Sequence, residues 1–223
     1  MTTAFWKTIA CSLGYLALAF ACLIQWHGPT PLARMDVFAS TYLVLRLAGV
    51  THSLLSSYGV FRSQAKMQEW WALSSDPSGP KVVAFLMALD LLAFLDYGHW
   101  LLVPALKNQV LQGTGLVLYT AVAACQMWTD NHLAKFFHRG QDSLPMNIGP
   151  YRFVRHPRYT AAIFGKVALA LILASVIGWV LVFAWAALLI RKIQIEERHL
   201  RKLFGSKYDE YAHETPMLIP RVL

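Results

Sequence analysis

Charge is what this sequence has least of. Only 14% of its 223 residues are charged and 57% are hydrophobic, where a soluble domain carries about a quarter charged residues. That balance excludes an ordinary soluble domain and makes the bilayer the solvent, in which backbone groups must be satisfied inside helices. Cysteine is scarce as well. Cys11, Cys22 and Cys125 all lie in apolar stretches without Cys-x-x-Cys spacing, so they are read as small core residues rather than a disulfide framework or a metal site. His132, His138 and His156 lack metal-ligand spacing, and no metal is expected. Gly113-Thr114-Gly115 lacks the third glycine and the βαβ setting of a dinucleotide fingerprint, and reads as close helix packing. The first apolar run has no small-residue cleavage site, so it is expected to be a retained span.

What is present is a series of apolar runs divided by polar breaks. They cover residues 8–26, 37–61, 82–106 and 110–128, followed after a polar segment by residues 160–190, whose one charge is Lys166. A straight helix over that last run would measure about 46 Å at 1.5 Å per residue, against roughly 30 Å of hydrocarbon. It is therefore read as a hairpin turning near Ser175 to Gly178. The expected fold class is all-α, a polytopic transmembrane helical bundle of about five to six membrane helices. The last two form the hairpin, and a cytosolic loop and a C-terminal amphipathic helix complete the chain. Residues 1–131 form an N-terminal membrane part of unassigned role, and residues 132–223 hold the loop, the hairpin and the C-terminal helix.

The net charge of +8 is no nucleic-acid footprint, because the basic residues are confined to particular loops. Of 20 Lys and Arg, 16 fall on the side shared by both termini in a six-pass arrangement. Arg34 and Lys107 lie opposite, and Arg46 and Lys166 lie within spans. The positive-inside rule then places both termini and the loop before the hairpin in the cytoplasm.

That loop is Gly149-Pro150-Tyr151-Arg152-Phe153-Val154-Arg155-His156-Pro157-Arg158-Tyr159. Each proline lacks an N–H and pushes the preceding residue, Gly149 or His156, out of helical geometry. The result is a run of donors and aromatic faces at a membrane boundary, suited to an anionic or aromatic small molecule. Residues 191–204 read as an amphipathic helix. Gln194, Arg198, Arg201 and Lys202 share one face, while Ile193, Glu197, Leu200 and Phe204 share the other, with Glu196 beside them. A carboxylate on the inward stripe needs a partner, either Arg155 or Lys192 in an ion pair, or a bound ligand.

Gly-Pro-Tyr, Arg-His-Pro, the following Tyr159 and the pair Glu196-Glu197, with Phe204-Gly205, Tyr208, Tyr211 and Leu218-Ile219-Pro220 behind them, resemble the signature of a known group. It is the isoprenylcysteine carboxyl methyltransferase and phospholipid methyltransferase family of integral membrane enzymes. The resemblance covers residues 144–221 and implies S-adenosyl-L-methionine as cofactor and a lipid-like or apolar small-molecule substrate. It implies cofactor-binding roles for Gly149, Pro150, Tyr151, Arg155, His156, Pro157, Tyr159 and Glu197, and catalytic roles for Glu196, Glu197 and Arg191. Tyr151 and Tyr159 offer faces to an adenine or a sulfonium, Arg155 and the His156 region can meet a carboxylate, and a glutamate can bridge ribose hydroxyls. Arg152 and Arg158 are read as interfacial arginines beside membrane lipids. The chain departs from the family at Ala161, where a glycine is usual, and at Glu214-Thr215-Pro216, where the prenylcysteine enzymes carry a basic residue before proline. It offers Arg191 or Lys192 where those enzymes carry an arginine about one turn before the glutamates.

Two other readings stay open. Sterol-type reductases using NADPH share an Arg-His-Pro-Asn-Tyr element, but here Arg158 replaces the asparagine. A non-enzymatic transport or binding protein would use the intramembrane charges as a path. Matching helical depth further pairs Arg46 with Asp96 and His52 with Asp90.

Overall fold

In a computed structural model of the chain, residues 37–61, 90–97, 102–138 and 148–219 are described, with a few positions among residues 10–21 and at 87–88. The regular structure among the described residues is all helical. It comprises α1 (Val37–Phe61), α2 (Gln109–His138), α3 (Pro157–Ile172), α4 (Val176–Phe204) and α5 (Ser206–Glu214). Residues 90–97 are also helical, and single 3₁₀ turns cover Pro104–Leu106 and Gly149–Arg152.

Local chemistry sets the boundaries. Asn108 Oδ1 accepts from the Val110 N–H at 2.8 Å, satisfying one of the orphan donors at the start of α2. Pro157 begins α3, where its missing N–H leaves no bond unmade. Ser175 caps α4 by accepting from Gly178 N at 3.2 Å. Gly205, with φ of +54°, ends α4 in a conformation that side-chain-bearing residues adopt at a penalty.

The core joins α1, residues 90–97, α2 and α3 through Tyr42, Phe94, Tyr119, Leu169, Ile172 and Leu173. Helices α2 and α3 meet closely at Gly115, where an added Cβ would stand 2.8 Å from Leu171 Cβ and 2.9 Å from Ile172 N. The neighbouring Gly113 has more room, so half of the glycine pair serves the close packing. Gln112 Nε2 donates to the Ile172 carbonyl at 2.9 Å, satisfying an acceptor at the C-terminus of α3 from a buried side chain.

The outer faces are apolar. Val117 on α2 and Phe183 on α4 are each 72% exposed, and α2 over residues 109–133 and α4 are long and apolar enough to cross a membrane. Large apolar side chains turned outward on helices of that length suit a bilayer as solvent. The hairpin turns at Leu173–Ser175, as its length requires. Helix α3 measures about 24 Å at 1.5 Å per residue, short of the ~30 Å hydrocarbon.

Three expectations are corrected. The amphipathic segment 191–204 is no separate helix. It is the continuation of α4, because no residue between Val176 and Phe204 breaks the backbone ladder. The fourth run extends helically ten residues past Trp128, so Thr129–His138 carries α2 towards the signature loop. The third run does not remain α-helical to Leu106: residues 102–103 are irregular and Pro104–Leu106 is a 3₁₀ turn. The depth count along that run therefore lost its ruler. Asp96 accepts from Leu102 N at 3.0 Å and Ser175 Oγ at 2.5 Å, and Asp90 carries an ion pair with Lys166 that the depth count did not include. The first apolar run and residues 98–101 lie largely or wholly outside the described residues.

Candidate active site

The signature loop is held on three sides. At its start Gly149 has φ of +56°, and a Cβ there would stand 2.6 Å from the His132 ring. Glycine thus lets the chain turn directly on the end of α2. Pro150 is buried, and the Tyr151 ring lies 6.5 Å from that of His132. Behind the loop, Tyr211 Oη on α5 donates to the Tyr151 carbonyl at 2.7 Å. Farther on, Arg158 Nε pairs with Asp130 Oδ1 at 3.1 Å, tying α3 back to α2.

The centre of the loop is stitched to the segment after α5. The N–H groups of Arg155 and His156 donate to the carbonyls of Pro216 (2.9 Å) and Met217 (3.2 Å). Thr160 Oγ1 donates to the Leu218 carbonyl at 2.7 Å. These pairings follow from Pro157: His156 precedes proline, takes φ −124° and ψ 61°, and keeps its N–H outside the helix ladder.

Arg155 does most of the joining. Its Nε donates to Glu197 Oε1 at 2.8 Å, and its Nη1 donates to the carbonyls of Ala212 and Thr215. His156 Nε2 lies 3.1 Å from the same Glu197 oxygen. Glu197 is buried on the inward stripe of α4, with Arg201 3.7 Å from its other oxygen. Burial alone would raise this carboxyl. The hydrogen bonds and charges of His156 and Arg155 outweigh it and hold Glu197 down at about 2. The ion pair to Arg155 is thus realised, and Glu197 is a fixed, satisfied anion.

Glu196 is placed differently. Half-buried beside the stripe, it accepts from Tyr159 Oη at 2.8 Å through Oε2, and Oε1 has no hydrogen bond among the described residues. The Tyr159 and His156 rings stack at 5.6 Å, and Lys192 Nζ stands 5.8 Å from the Tyr159 ring centroid. Arg191 is exposed on the next position of α4. Burial pushes the Tyr151 hydroxyl up to about 12 and raises Tyr208 and Tyr211 too, so all three are neutral donors at physiological pH.

The structure therefore gathers Gly149, Pro150, Tyr151, Arg155, His156, Pro157, Tyr159, Glu196 and Glu197 at one end of the α3/α4 hairpin. Arg191 is on the same stretch of α4 but on its exposed surface, whereas Lys192 reaches Tyr159. Arg152 lies over the Phe153 ring at 4.5 Å. Sequence pattern gave no site role to Asp130 or to His132, both in the polar segment after the fourth apolar run, nor to the carbonyls of residues 212–218, which no side-chain pattern can announce.

A carboxylate with an open oxygen, stacked aromatic faces, a lysine and an arginine-anchored loop form a donor and acceptor set for a zwitterionic, cationic or aromatic ligand. The chain is 27% identical over 128 residues, 56% of its own length, to protein-S-isoprenylcysteine O-methyltransferase B of Arabidopsis thaliana. That alignment covers 62% of the relative's length. Residues 109–207 match the phospholipid methyltransferase family, from the start of α2 to the start of α5. The resemblance read from the loop and the glutamate pair is thereby borne out: over α2, the signature loop and the hairpin, this chain carries the pattern of the phospholipid methyltransferase family.

Proposed function

We propose that the protein is an integral membrane methyltransferase that uses S-adenosyl-L-methionine and methylates a lipid-like or apolar acceptor at the cytosolic membrane face. The observation that carries this reading is the division of labour in the glutamate pair. Glu197 is saturated by Arg155 and His156 and fixes the loop against α4, while Glu196 is left with one oxygen to offer. The residues present suit the cofactor. Glu196 fits its amine, hydroxyls or cation, the stacked His156 and Tyr159 rings fit an adenine or sulfonium, and Lys192 fits a carboxylate.

When bound, S-adenosyl-L-methionine supplies an electrophilic methyl group. The chain's contribution is positioning and exclusion of water, since an in-line displacement needs little acid–base chemistry. Tyr159 orients the Glu196 carboxylate through its hydroxyl. Arg155 and His156 orient Glu197, and through it the register of the loop on α4. Arg191, exposed one position before Lys192, is retained as a candidate for meeting an acidic acceptor at the interface.

Isothermal titration of the detergent-solubilised full chain with S-adenosyl-L-methionine and, separately, NADPH tests the reading. Binding of the first with no heat from the second is expected. Binding of NADPH alone would turn the assignment to a reductase, and binding of neither to a non-enzymatic role.

A further inference from the structure

Helix α2 shows where the bilayer ends. Stepping along it by four and three residues, one exposed stripe runs through Val110, Val117, Ala121, Ala124 and Trp128. Thr114, also on the stripe, turns its hydroxyl back to the Val110 carbonyl at 2.8 Å. From Val110 to Trp128 the stripe measures about 27 Å at 1.5 Å per residue, close to the roughly 30 Å of hydrocarbon. The next exposed positions on it are Asn131 and Lys135. Trp128 therefore marks the edge of the hydrocarbon, the level at which tryptophan concentrates in membrane proteins.

The signature loop is fastened at that level. The Phe153 and Trp128 rings lie 6.3 Å apart and are 44% and 48% exposed. The Phe153 N–H donates to the Pro150 carbonyl at 3.2 Å, which holds the ring on its turn. Two of the loop's arginines are paired, Arg155 with Glu197 and Arg158 with Asp130. The remaining one, Arg152, is exposed and has no carboxylate within ion-pair distance among the described residues. Its guanidinium lies over the Phe153 ring instead, 4.5 Å from the centroid. A guanidinium stacked by its face keeps its N–H edge for an anion, and the spacing of that edge matches phosphate.

We propose that Arg152, Phe153 and Trp128 seat the headgroup of an anionic phospholipid of the bilayer, and that this lipid steadies the signature loop from outside. Arg152 meets the phosphate, while the two rings lie at the glycerol and upper acyl level. Lys135, about 10 Å beyond Trp128 on the same stripe, adds attraction for net negative charge, so a zwitterionic headgroup is the weaker ligand. Continuity with the lipid-length stripe of α2 selects a bilayer lipid over a soluble anion. Phe153 stands two positions from both Tyr151 and Arg155, so a lipid that holds its ring also restricts residues of the candidate active site. This lipid is a neighbour of the loop and not the methyl acceptor. The site rests on the membrane reading, and its coupling to the cofactor on the methyltransferase reading.

The test titrates the detergent-solubilised full chain with phosphatidylglycerol and with phosphatidylcholine, and counts bound lipid by native mass spectrometry. Phosphatidylglycerol is expected to bind more tightly. Arg152→Gln should weaken it about 5-fold, the factor that about 1 kcal/mol per basic residue represents, with no change in melting temperature because the side chain is exposed. Arg198→Gln, which removes an exposed arginine from α4, should leave it unchanged. Equal binding of the two lipids by the wild type, or equal losses in the two variants, overturns the site. In nanodiscs, S-adenosyl-L-methionine should bind the wild type more tightly with phosphatidylglycerol present than in phosphatidylcholine alone, and Arg152→Gln should abolish the difference. No difference in the wild type overturns the coupling to the loop. A wild type that binds no S-adenosyl-L-methionine in either bilayer would instead sink the methyltransferase reading and leave the lipid titration standing. A chain that stays in solution after detergent removal would sink the membrane reading and the site with it.

Discussion

Arg155→Met removes the residue on which the loop, α4 and the segment after α5 converge. Three acceptors lose a charged donor at once: Glu197 Oε1 at 2.8 Å, and the carbonyls of Ala212 and Thr215. Removing one partner of a buried ion pair typically costs about 3–5 kcal/mol, because the other charge stays buried. Glu197 would keep His156 at 3.1 Å and a distant Arg201 at 3.7 Å, so the lower half of that range is expected. Against a total stability of about 5–15 kcal/mol this is a large fraction. Equilibrium unfolding in mixed micelles measures it, and limited proteolysis reports whether residues 206–219 come loose first. Glu197→Gln keeps an acceptor oxygen and is expected to cost about 1–2 kcal/mol. The two substitutions together should cost at least about 1 kcal/mol less than their sum, because they share one contact. Additive losses, or a loss below about 1 kcal/mol for Arg155→Met, would refute the idea of a single hub. The same hub has a pH signature. Glu197 is held at about 2 in the folded chain against an ordinary 4.5, so its stabilisation is complete above 4.5 and fades as pH falls towards 2. Glu197→Gln should flatten the acid limb of the stability curve in that window, whereas an unchanged limb would mean that the carboxylate is not selectively stabilised by folding.

Gly149→Ala should destabilise the loop by about 1–2 kcal/mol from its positive φ alone. The clash with His132 adds to this, so a thermal shift no larger than that of a surface substitution would contradict the turn geometry. Tyr159→Phe frees Glu196 without removing the ring, and is expected to weaken S-adenosyl-L-methionine binding about 10-fold by titration with little change in melting temperature. For topology, a cysteine replacing Gln141 should be labelled only from the cytoplasmic side and one replacing Asn108 only from the opposite side. The reverse pattern would withdraw the cytosolic placement of the site.

The hairpin, its turn and the buried stripe were legible because they depend on local rules: length against bilayer thickness, and a 3.6-residue period. Ile193, Glu197 and Leu200 are buried where Gln194, Arg198, Arg201 and Lys202 are exposed, as the period required. The loop's composition likewise identified its residues, and the Arg155–Glu197 pair was one of two partners on offer. Partner choice inside the bilayer was not legible. Counting residues from an assumed membrane face treats every span as straight, and the irregular stretch at residues 102–106 broke that assumption for Asp96. Nor could a sequence reveal that Lys166, on an otherwise apolar run, would turn to Asp90, because depth says nothing about rotation around a helix axis. The support of the loop by Asp130 and His132 was hidden for a related reason: α2 continues past its apolar run, and where a helix stops being a span its pattern stops announcing what it touches.

The bonds from Arg155, His156 and Thr160 to the carbonyls of residues 212–218 carry a consequence for biosynthesis. They close loops of roughly sixty residues, with hydrogen-bond separations of 57, 60 and 58 positions for Ala212, Thr215 and Leu218. During translation the signature loop emerges long before these carbonyls exist. A released chain ending with α4 would hold both members of the Arg155–Glu197 pair, yet two of the three acceptors of that arginine would be missing. The signature loop can therefore reach its full set of bonds only once the segment after α5 has been made. A chain truncated a few residues before Pro216 would lose the carbonyls that accept from the Arg155 and His156 N–H groups.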